Sequence, residues 1–201
     1  MNKETHHTTY DWWLNMSDTE RFAWYDKIFN DEELDMIEKL VSDTDLHDGE
    51  VSNDNPVNTD IRDSKIKFIE SNLESNRWIF ERFTGLINNA NERFFQFELS
   101  RLESLQYTVY NEGQFYRDHM DLGYKNPNNA VRKLSFTMQL SDPGEYDGGE
   151  LLIKHGVTPD VARKDRGAIT FFPSYIIHEV TPITRGVRKS IVGWVTGPRW
   201  K

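Results

Sequence analysis

The segment LQYTVYNEGQFYRDHMD, residues 105–121, decides what we expect of the fold and of the site, because it ends in His119-x-Asp121. Side chains two residues apart on an extended strand point to the same side of a sheet, since strand side chains alternate with a period of two. An imidazole and a carboxylate in this arrangement can bind one metal ion. A single H-x-D pair is also common on exposed surfaces, so its meaning depends on residues further along the chain.

A second histidine, His178, follows 57 residues beyond Asp121 in the apolar run AITFFPSYIIHEV, and Arg188 comes ten residues after it in TRGVRKSIVGWV. Two histidines and one carboxylate form the facial triad that leaves open positions on Fe(II) for a chelating co-substrate and oxygen. A buried arginine needs a carboxylate partner, and its planar fork suits a bidentate one. Two alternatives remain: His178 as a hydrogen-bonded core residue, and Arg188 paired with Glu179 or another acid on the sheet.

The composition is consistent with one enzyme domain. A chain of 201 residues is long enough for a single domain with a hydrophobic core. It has no cysteine, which excludes disulfides, thiolate zinc sites and cysteine nucleophiles. The N-terminal sequence MNKETHHTTYDWW has no apolar signal region, and no apolar run approaches the length of a membrane span. We therefore expect a cytoplasmic, soluble protein without a membrane partner.

The formal net charge of −9 is unevenly distributed along the chain. Residues 1–100 carry 10 basic and 22 acidic side chains, whereas residues 101–201 carry 14 basic and 11 acidic ones. A nucleic-acid partner is not expected, because it would need a concentrated basic face. The mildly basic second half favours a small anionic co-substrate.

The first 95 residues predict an N-terminal arm and supporting helices. Aromatic residues in the first 29 positions are expected to pack the arm onto the domain: Tyr10, Trp12, Trp13, Trp24 and Tyr25. A helix is predicted after a cap at Asn30 or Asp31, and a longer one from about Glu74 to Arg93. Between them, residues 42–63 are polar and predict a loop, either an ordinary surface loop or a lid over the site.

The sequence from residue 96 to 198 predicts a barrel core, in the same domain, made of short strands separated by turn residues. The predicted strands are Phe97–Tyr110, Gln114–Asp121, Leu134–Leu140, Glu150–Lys154, Asp160–Arg163, Ala168–Phe172, Ile177–Val180 and Arg188–Thr196. Turns are predicted at DPGEYDGG and at Arg185-Gly186, among others. The predicted fold class is therefore mainly β with N-terminal helices (α+β), a double-stranded β-helix or jelly-roll barrel whose mouth holds one small ligand.

The order of these motifs resembles that of the Fe(II)/2-oxoglutarate-dependent oxygenases. The residues that carry the resemblance are Tyr110, His119-x-Asp121, RKLSFTMQLSD, DGGELLI, His178 and Arg188. Within that family the pattern is similar to the prolyl 4-hydroxylases, including short bacterial and phage-type hydroxylases. The resemblance implies a dioxygenase that uses Fe(II), 2-oxoglutarate, O2 and L-ascorbate.

The resemblance also implies roles for individual residues. His119, Asp121 and His178 would hold iron, and Arg188 would bind the distal carboxylate of 2-oxoglutarate. Three further residues fall in the co-substrate pocket of the family: Tyr110, Gln139 and Ser190, of which Gln139 stands where some relatives have a tyrosine. Three others fall where relatives contact the substrate: Arg132, Trp194 and Tyr116.

The substrate implied by the resemblance is a prolyl residue in an extended peptide or protein, hydroxylated at C4 with release of succinate and CO2. The polar loop 123–129 could close over it, and the acidic first half predicts a preference for proline flanked by lysine or arginine. The alternatives are a hydroxylase of a free amino acid or other small molecule, a nucleic-acid demethylase, and a non-catalytic cupin-like binding protein. The histidines His6, His7, His47 and His155 have no partner in the pattern and are expected on the surface.

Overall fold

The computed structural model describes residues 20–42, 45–51, 57–123 and 130–200 of the chain. Several expectations fall outside these ranges: the packing of Tyr10, Trp12 and Trp13, the position of His6 and His7, part of the predicted 42–63 loop, and the 123–129 loop apart from Gly123. Within the described ranges, the helices are too short or too polar to cross a membrane.

The N-terminal half contains both predicted helices and also four strands. Its elements are β1 (Ala23–Tyr25), α1 (Asp31–Ser42), β2 (His47–Asp48), β3 (Arg62–Asp63), β4 (Lys65–Ile69) and α2 (Arg77–Ala90). Helix α1 begins with a reciprocal cap, because the side chain of Asn30 accepts from the Glu33 amide (2.8 Å) and that of Glu33 accepts from the Asn30 amide (3.0 Å). The prediction of helix α1 with its cap at Asn30 is confirmed. The second predicted helix is confirmed as α2, with a short 3₁₀ turn before it and a π turn after it.

The C-terminal half is almost entirely β-structure. Its strands are β5 (Arg101–Leu102), β6 (Leu105–Tyr110), β7 (Phe115–His119), β8 (Val131–Gln139), β9 (Tyr146–Gly148), β10 (Leu151–Lys154), β11 (Asp160–Val161), β12 (Ile169–Pro173), β13 (Ile177–Val180), β14 (Ile183–Gly186) and β15 (Arg188–Gly197). Each predicted strand has a counterpart among them. The predicted strand Phe97–Tyr110 is wrong in its extent, because it starts at residue 101 and is interrupted before Leu105.

The turn predicted in DPGEYDGG is present at residues 143–144, but Tyr146–Gly148 of that segment and Arg185-Gly186 lie in strands β9 and β14. These glycine-containing segments pair with each other as a two-stranded sheet. Glycine is needed here for close approach, since a Cβ on Gly186 would lie 2.0 Å from the carbonyl oxygen of Glu145. Glycine in a strand therefore marks two backbones in contact and not only a turn.

The strands form two main antiparallel sheets, and the N-terminal strands extend both of them. The larger sheet runs β1-β12-β8-β15-β6-β4-β2, with β5 also paired to β15, and the smaller sheet runs β11-β10-β13-β7-β3. Strands β2 and β3 lie inside the stretch predicted to be a loop, which corrects that prediction for the described residues. Both sheets contribute residues to the lining of one cavity of about 830 Å³. The predicted jelly-roll architecture is confirmed.

The larger sheet has two unlike faces, because successive side chains alternate along each strand. The helix face packs against α1 and α2 in the main hydrophobic core and includes Leu134, Phe136, Met138, Ile169, Phe171 and Ile191. The cavity face carries the intervening residues of the same strands, among them Ser135, Thr137, Gln139, Arg188, Ser190 and Trp194. The helices therefore cover one side of the sheet and leave the other free to form a site.

Candidate metal and co-substrate site

The three predicted metal ligands converge in the wall of the cavity. His119 ends strand β7 and is the cross-strand partner of His178 on β13. Asp121 lies two residues beyond β7, where its backbone amide donates to the carbonyl of Ser174 (2.9 Å). One ligand atom from each of the three side chains lies within 4.8 Å of the other two. This donor set of two imidazoles and one carboxylate is the one that suits Fe(II) with open coordination positions.

Hydrogen bonds orient both imidazoles toward the centre of the site. The Nδ1 atom of His119 contacts the carbonyl oxygen of Arg117 (2.7 Å), and Nδ1 of His178 contacts that of Ile176 (3.0 Å). A carbonyl can only accept, so Nδ1 is the protonated nitrogen in each ring. The two Nε2 atoms are then left with free lone pairs, 3.8 and 3.4 Å from the Asp121 carboxylate oxygens.

The Asp121 carboxylate is held by hydroxyl groups behind it. The Ser135 hydroxyl donates to Oδ2 of Asp121 (2.8 Å), and the hydroxyls of Ser135 and Ser174 are 2.9 Å apart. Ser135 lies on the cavity face of β8. A residue of the larger sheet therefore positions Asp121, a metal ligand that comes two residues after strand β7 of the smaller sheet. Sequence reasoning missed Ser135, whose only signal is a polar residue between Leu134 and Phe136 in an apolar strand.

The charges at the site favour the metal-binding protonation states. Burial lowers the pKa of His119 to about 4, and the neighbouring His178 acts in the same direction. Burial alone would raise the pKa of Asp121, but His178, His119 and Arg132 together with the Ser135 hydroxyl hold it below its usual range. At neutral pH, His119 is therefore uncharged and Asp121 is ionised, as metal ligation requires.

Tyr116, a predicted substrate residue, packs directly on His119. The two rings are stacked with centroids 3.5 Å apart. They lie three residues apart on β7, and a register shift against β13 between these positions brings both to the cavity side. Burial raises the pKa of the Tyr116 phenol to about 12.

Arg188 is the largest fully buried side chain in the described residues, with an exposure of 1%. Its Nη1 contacts the Ser190 hydroxyl (3.3 Å), whereas Nε and Nη2 have no hydrogen-bond partner. The alternative pairing with Glu179 is wrong, because Glu179 pairs with Lys154 (3.0 Å). No carboxylate in the described ranges forms an ion pair with Arg188, so its donors fit a carboxylate that comes from a ligand.

Of the other predicted co-substrate residues, Tyr110 and Ser190 line the cavity together with Arg188, whereas Gln139 does not. Tyr110 is the cross-strand neighbour of Arg188, with the guanidinium carbon 5.6 Å from the ring centroid, and both residues line the cavity. Ser190 also lines the cavity. Gln139 is the cross-strand partner of Ser190, but it is not among the described cavity-lining residues, and its buried Oε1 has no partner.

The structure adds Tyr146, which sequence reasoning missed because it lies in a stretch predicted to be a turn. Its hydroxyl is buried without a hydrogen-bond partner, and burial raises its pKa. A Cβ added at Gly149 would meet both the Arg188 side chain (3.0 Å) and the Tyr146 ring (3.3 Å), so the two side chains lie close together. Tyr146 is therefore a further candidate donor beside Arg188.

Arg132 and Trp194, predicted to contact the substrate, form one cluster in the cavity wall. The Arg132 guanidinium lies over the Trp194 ring, 4.0 Å from its centroid, and pairs with Glu103 through Nη2 (2.7 Å). The indole Nε1 of Trp194 is buried without a partner. The charge of Arg132 is thus already balanced, and the indole N–H is a buried donor that remains unused.

One histidine expected on the surface has a partner in the structure. His155 is mostly buried and hydrogen-bonds to Asp160. The two residues lie on either side of the connection from β10 to β11, a proximity that a sequence pattern does not reveal. His47 is exposed, as expected.

Comparisons with known proteins agree with this geometry. Residues 105–196 match the family model of the 2OG-Fe(II) oxygenase superfamily. A PKHD-type hydroxylase of Gloeothece citriformis is 35% identical over 95 residues, which are 47% of this chain and 43% of the relative. The chain spans about half the length of the curated relatives it matches.

Solved structures share the fold at low sequence identity. A Trichoplax adhaerens prolyl hydroxylase in complex with a hypoxia inducible factor peptide fragment has a TM-score of 0.71 at 18% identity, over 87% of this chain and 83% of that one. A Pseudomonas putida prolyl-4-hydroxylase has a TM-score of 0.66 at 22% identity, over 90% and 95%. The segment that matches the 2OG-Fe(II) oxygenase superfamily model, residues 105–196, contains all three converging ligands as well as Arg188.

Proposed function

We propose that the chain is an Fe(II)- and 2-oxoglutarate-dependent dioxygenase that hydroxylates a prolyl residue, at C4, in a peptide or protein. The observation that carries the proposal is the convergence of His119, Asp121 and His178 in the same cavity as the buried Arg188, whose Nε and Nη2 have no partner. When bound, Fe(II) with 2-oxoglutarate and O2 supplies the oxidant for C–H hydroxylation, and 2-oxoglutarate is converted to succinate and CO2.

The residues of the chain would bind and orient the reactants. His119, Asp121 and His178 would hold iron on one face, leaving the opposite positions open. Arg188 would pair with the distal carboxylate of 2-oxoglutarate through the two nitrogens that lack partners, and the phenol of Tyr110 would donate to the same group. The burial of Arg188 would strengthen these charge-assisted bonds, because charges interact more strongly away from water.

The prolyl substrate is supported by the resemblance to prolyl 4-hydroxylases and by the names of the matching structures, a prolyl hydroxylase and a prolyl-4-hydroxylase. Locally, the Trp194 indole and the stacked Tyr116 ring provide apolar surface on the walls of the cavity, where a pyrrolidine ring could pack. A proline in polyproline II conformation enters with its backbone already ordered, which lowers the entropy cost of binding.

The test is to incubate the iron-loaded protein with 2-oxoglutarate, ascorbate as the proposed additional cofactor, and proline-rich peptides. We expect succinate formation to depend on the peptide and a single oxygen to appear on proline when the product is fragmented in a mass spectrometer. The His119→Ala variant is the matched control and should give neither. Oxygen found only on another residue type, or succinate stimulated by free amino acids and by no peptide, would contradict the prolyl assignment.

A further inference from the structure

A second buried arginine, Arg62, lines the cavity. It belongs to the smaller sheet, which also carries His119 and His178. Arg62 is on the edge strand β3, is 5% exposed, and is the cross-strand partner of Tyr116. Its guanidinium carbon lies over the Tyr116 ring, 4.7 Å from the centroid. Room for the guanidinium depends on Gly49, since a Cβ there would come within 2.4 Å of the Arg62 Nε atom. The site around Arg62 is therefore built into the fold.

The groups that contact Arg62 are neutral. Its Nε donates to the Ser64 hydroxyl (2.9 Å) and its Nη1 to the carbonyl oxygen of Glu50 (2.8 Å). No aspartate or glutamate in the described parts of the chain forms an ion pair with it. A buried guanidinium without an anion bears most of its desolvation cost, so a ligand that supplies the anion is strongly favoured.

Among the four arginines that line the cavity in the described residues, Arg62 is the one that is buried without an anion and has no ligand assigned to it by the proposed function. The Arg132 charge is balanced by Glu103, Arg101 is exposed to solvent, and Arg188 is the proposed partner of 2-oxoglutarate. Arg62 reaches the cavity from the smaller sheet and Arg188 reaches it from the larger one. A cavity of about 830 Å³ has room for a second ligand beside the co-substrate.

The position of Arg62 also limits how far a bound anion lies from the reacting centre. The Tyr116 ring centroid is 4.7 Å from the Arg62 guanidinium carbon and 3.5 Å from the centroid of the His119 imidazole. The guanidinium thus lies no further from the His119 ring than the sum of these two distances. An anion held by Arg62 would therefore lie in the part of the cavity that contains His119.

We propose that Arg62 binds a carboxylate of the primary substrate, and that this carboxylate lies within a few bonds of the carbon that is hydroxylated. The inference rests on the proposed hydroxylase function and narrows its substrate class. The carboxylate comes either from an acidic residue next to the target proline or from the free carboxyl group of a C-terminal or free amino acid. The acidic first half of the chain predicts a preference for basic flanking residues, whereas the charge inside the cavity favours an acidic group.

The experiment compares pairs of probes that differ only in one carboxylate. The pairs are a peptide with glutamate or glutamine next to proline, a peptide ending in proline as the free acid or the amide, and L-proline or L-prolinamide. Affinity is measured by titration calorimetry with the protein loaded with Mn(II) and 2-oxoglutarate. In at least one pair the acid should bind about ten- to a hundred-fold more tightly than its neutral twin, the range expected for a charge-assisted hydrogen bond. The pair that shows the preference identifies the source of the carboxylate.

The preference should disappear in Arg62→Gln and persist in the matched control Arg101→Gln, which removes the same charge from an exposed arginine of the same cavity. The proposal is overturned if acid and neutral probes bind wild type equally, if no probe binds, or if Arg62→Gln keeps the preference. If Arg62→Gln fails to fold, the proposal can still be tested with the probe pairs on wild type and on Arg62→Lys. The lysine variant keeps the charge and should therefore keep the preference. Acid-selective binding without oxygen transfer to any probe would support the Arg62 site and contradict the prolyl hydroxylase function. Hydroxylation of neutral peptides alone would support the prolyl hydroxylase function and contradict the Arg62 site.

Discussion

The two faces of the larger sheet are made by the same strands and have opposite properties. On the helix face, Phe136 packs against the rings of Phe83 and Phe171, with centroids 5.0 and 5.5 Å away. On the cavity face, hydrogen-bonding groups are left unused. Five buried side-chain atoms in the described residues lack a partner, and four of them belong to the cavity-face residues Gln139, Arg188 and Trp194.

Because of this difference, the residues that stabilise the fold lie mainly on the helix face, and the residues available to bind ligands lie on the cavity face. An unsatisfied buried polar group costs about 1–3 kcal/mol, and more when it is charged, so the cavity face opposes folding. The helix face offsets that cost, because it buries large apolar side chains against two helices. We therefore expect substitutions on the helix face to lower stability, and substitutions around the cavity to change ligand binding with little loss of stability.

The largest expected effect is at the metal ligands. His119→Ala or Asp121→Ala should abolish activity and measurable Mn(II) binding, because each removes one of three ligands. Each variant should still fold, since neither side chain contributes to the main apolar core. Titration calorimetry with Mn(II) and circular dichroism of the same samples test both points. Unchanged Mn(II) affinity in these variants would rule out the metal site.

The next largest effect is on the helix face. Phe136→Ala should lower the free energy of unfolding by about 3–5 kcal/mol, because it opens a cavity among packed aromatic rings. Thr137→Val, one position along the same strand but on the cavity face, replaces a hydroxyl by a methyl group and should change the free energy of unfolding by less than about 1.5 kcal/mol, the usual net contribution of one hydrogen bond. Urea denaturation measures both values. Similar losses in the two variants would contradict the division between the faces.

Arg188→Met sharpens the comparison within the cavity face. We expect 2-oxoglutarate to bind about ten- to a hundred-fold more weakly, which corresponds to the loss of one charge-assisted bond of about 1.5–3 kcal/mol. Mn(II) affinity should not change, and the protein alone should unfold at the same temperature or higher, because an unpaired buried charge has been removed. Calorimetry and thermal melting test these outcomes; a wild-type affinity for 2-oxoglutarate would exclude the role.

The smallest of these effects is expected at Ser135, which connects the cavity face to the metal ligands. Ser135→Ala removes the hydroxyl that donates to Asp121. Loss of such an outer hydrogen bond weakens metal binding by about ten-fold or somewhat more. Ser141→Ala is a control, since that hydroxyl bonds to the Val187 carbonyl instead. Equal Mn(II) affinities for Ser135→Ala and wild type would show that Asp121 does not need this support.

The sequence by itself was sufficient for the fold class, both helices and the identity of the converging residues. Strand alternation and the H-x-D spacing are local properties, and a histidine or an arginine within an apolar run is visible in one dimension. The strand pattern predicted the barrel, and the order of the motifs added the resemblance to the Fe(II)/2-oxoglutarate-dependent oxygenases. These features depend on residues near one another in the chain or on their order, so they could be recognised without coordinates.

Only the tertiary structure decided which groups meet across the barrel. Strands β9 and β14 were predicted as turns because glycine permits both a turn and the close approach of two backbones. The support of Asp121 by Ser135, the proximity of Tyr146 to Arg188 and the burial of Arg62 against Tyr116 each join segments that are distant in sequence or lie on different strands. Such contacts depend on register, on one bulge in β7 and on how the two sheets face each other, and no local pattern of residues encodes these.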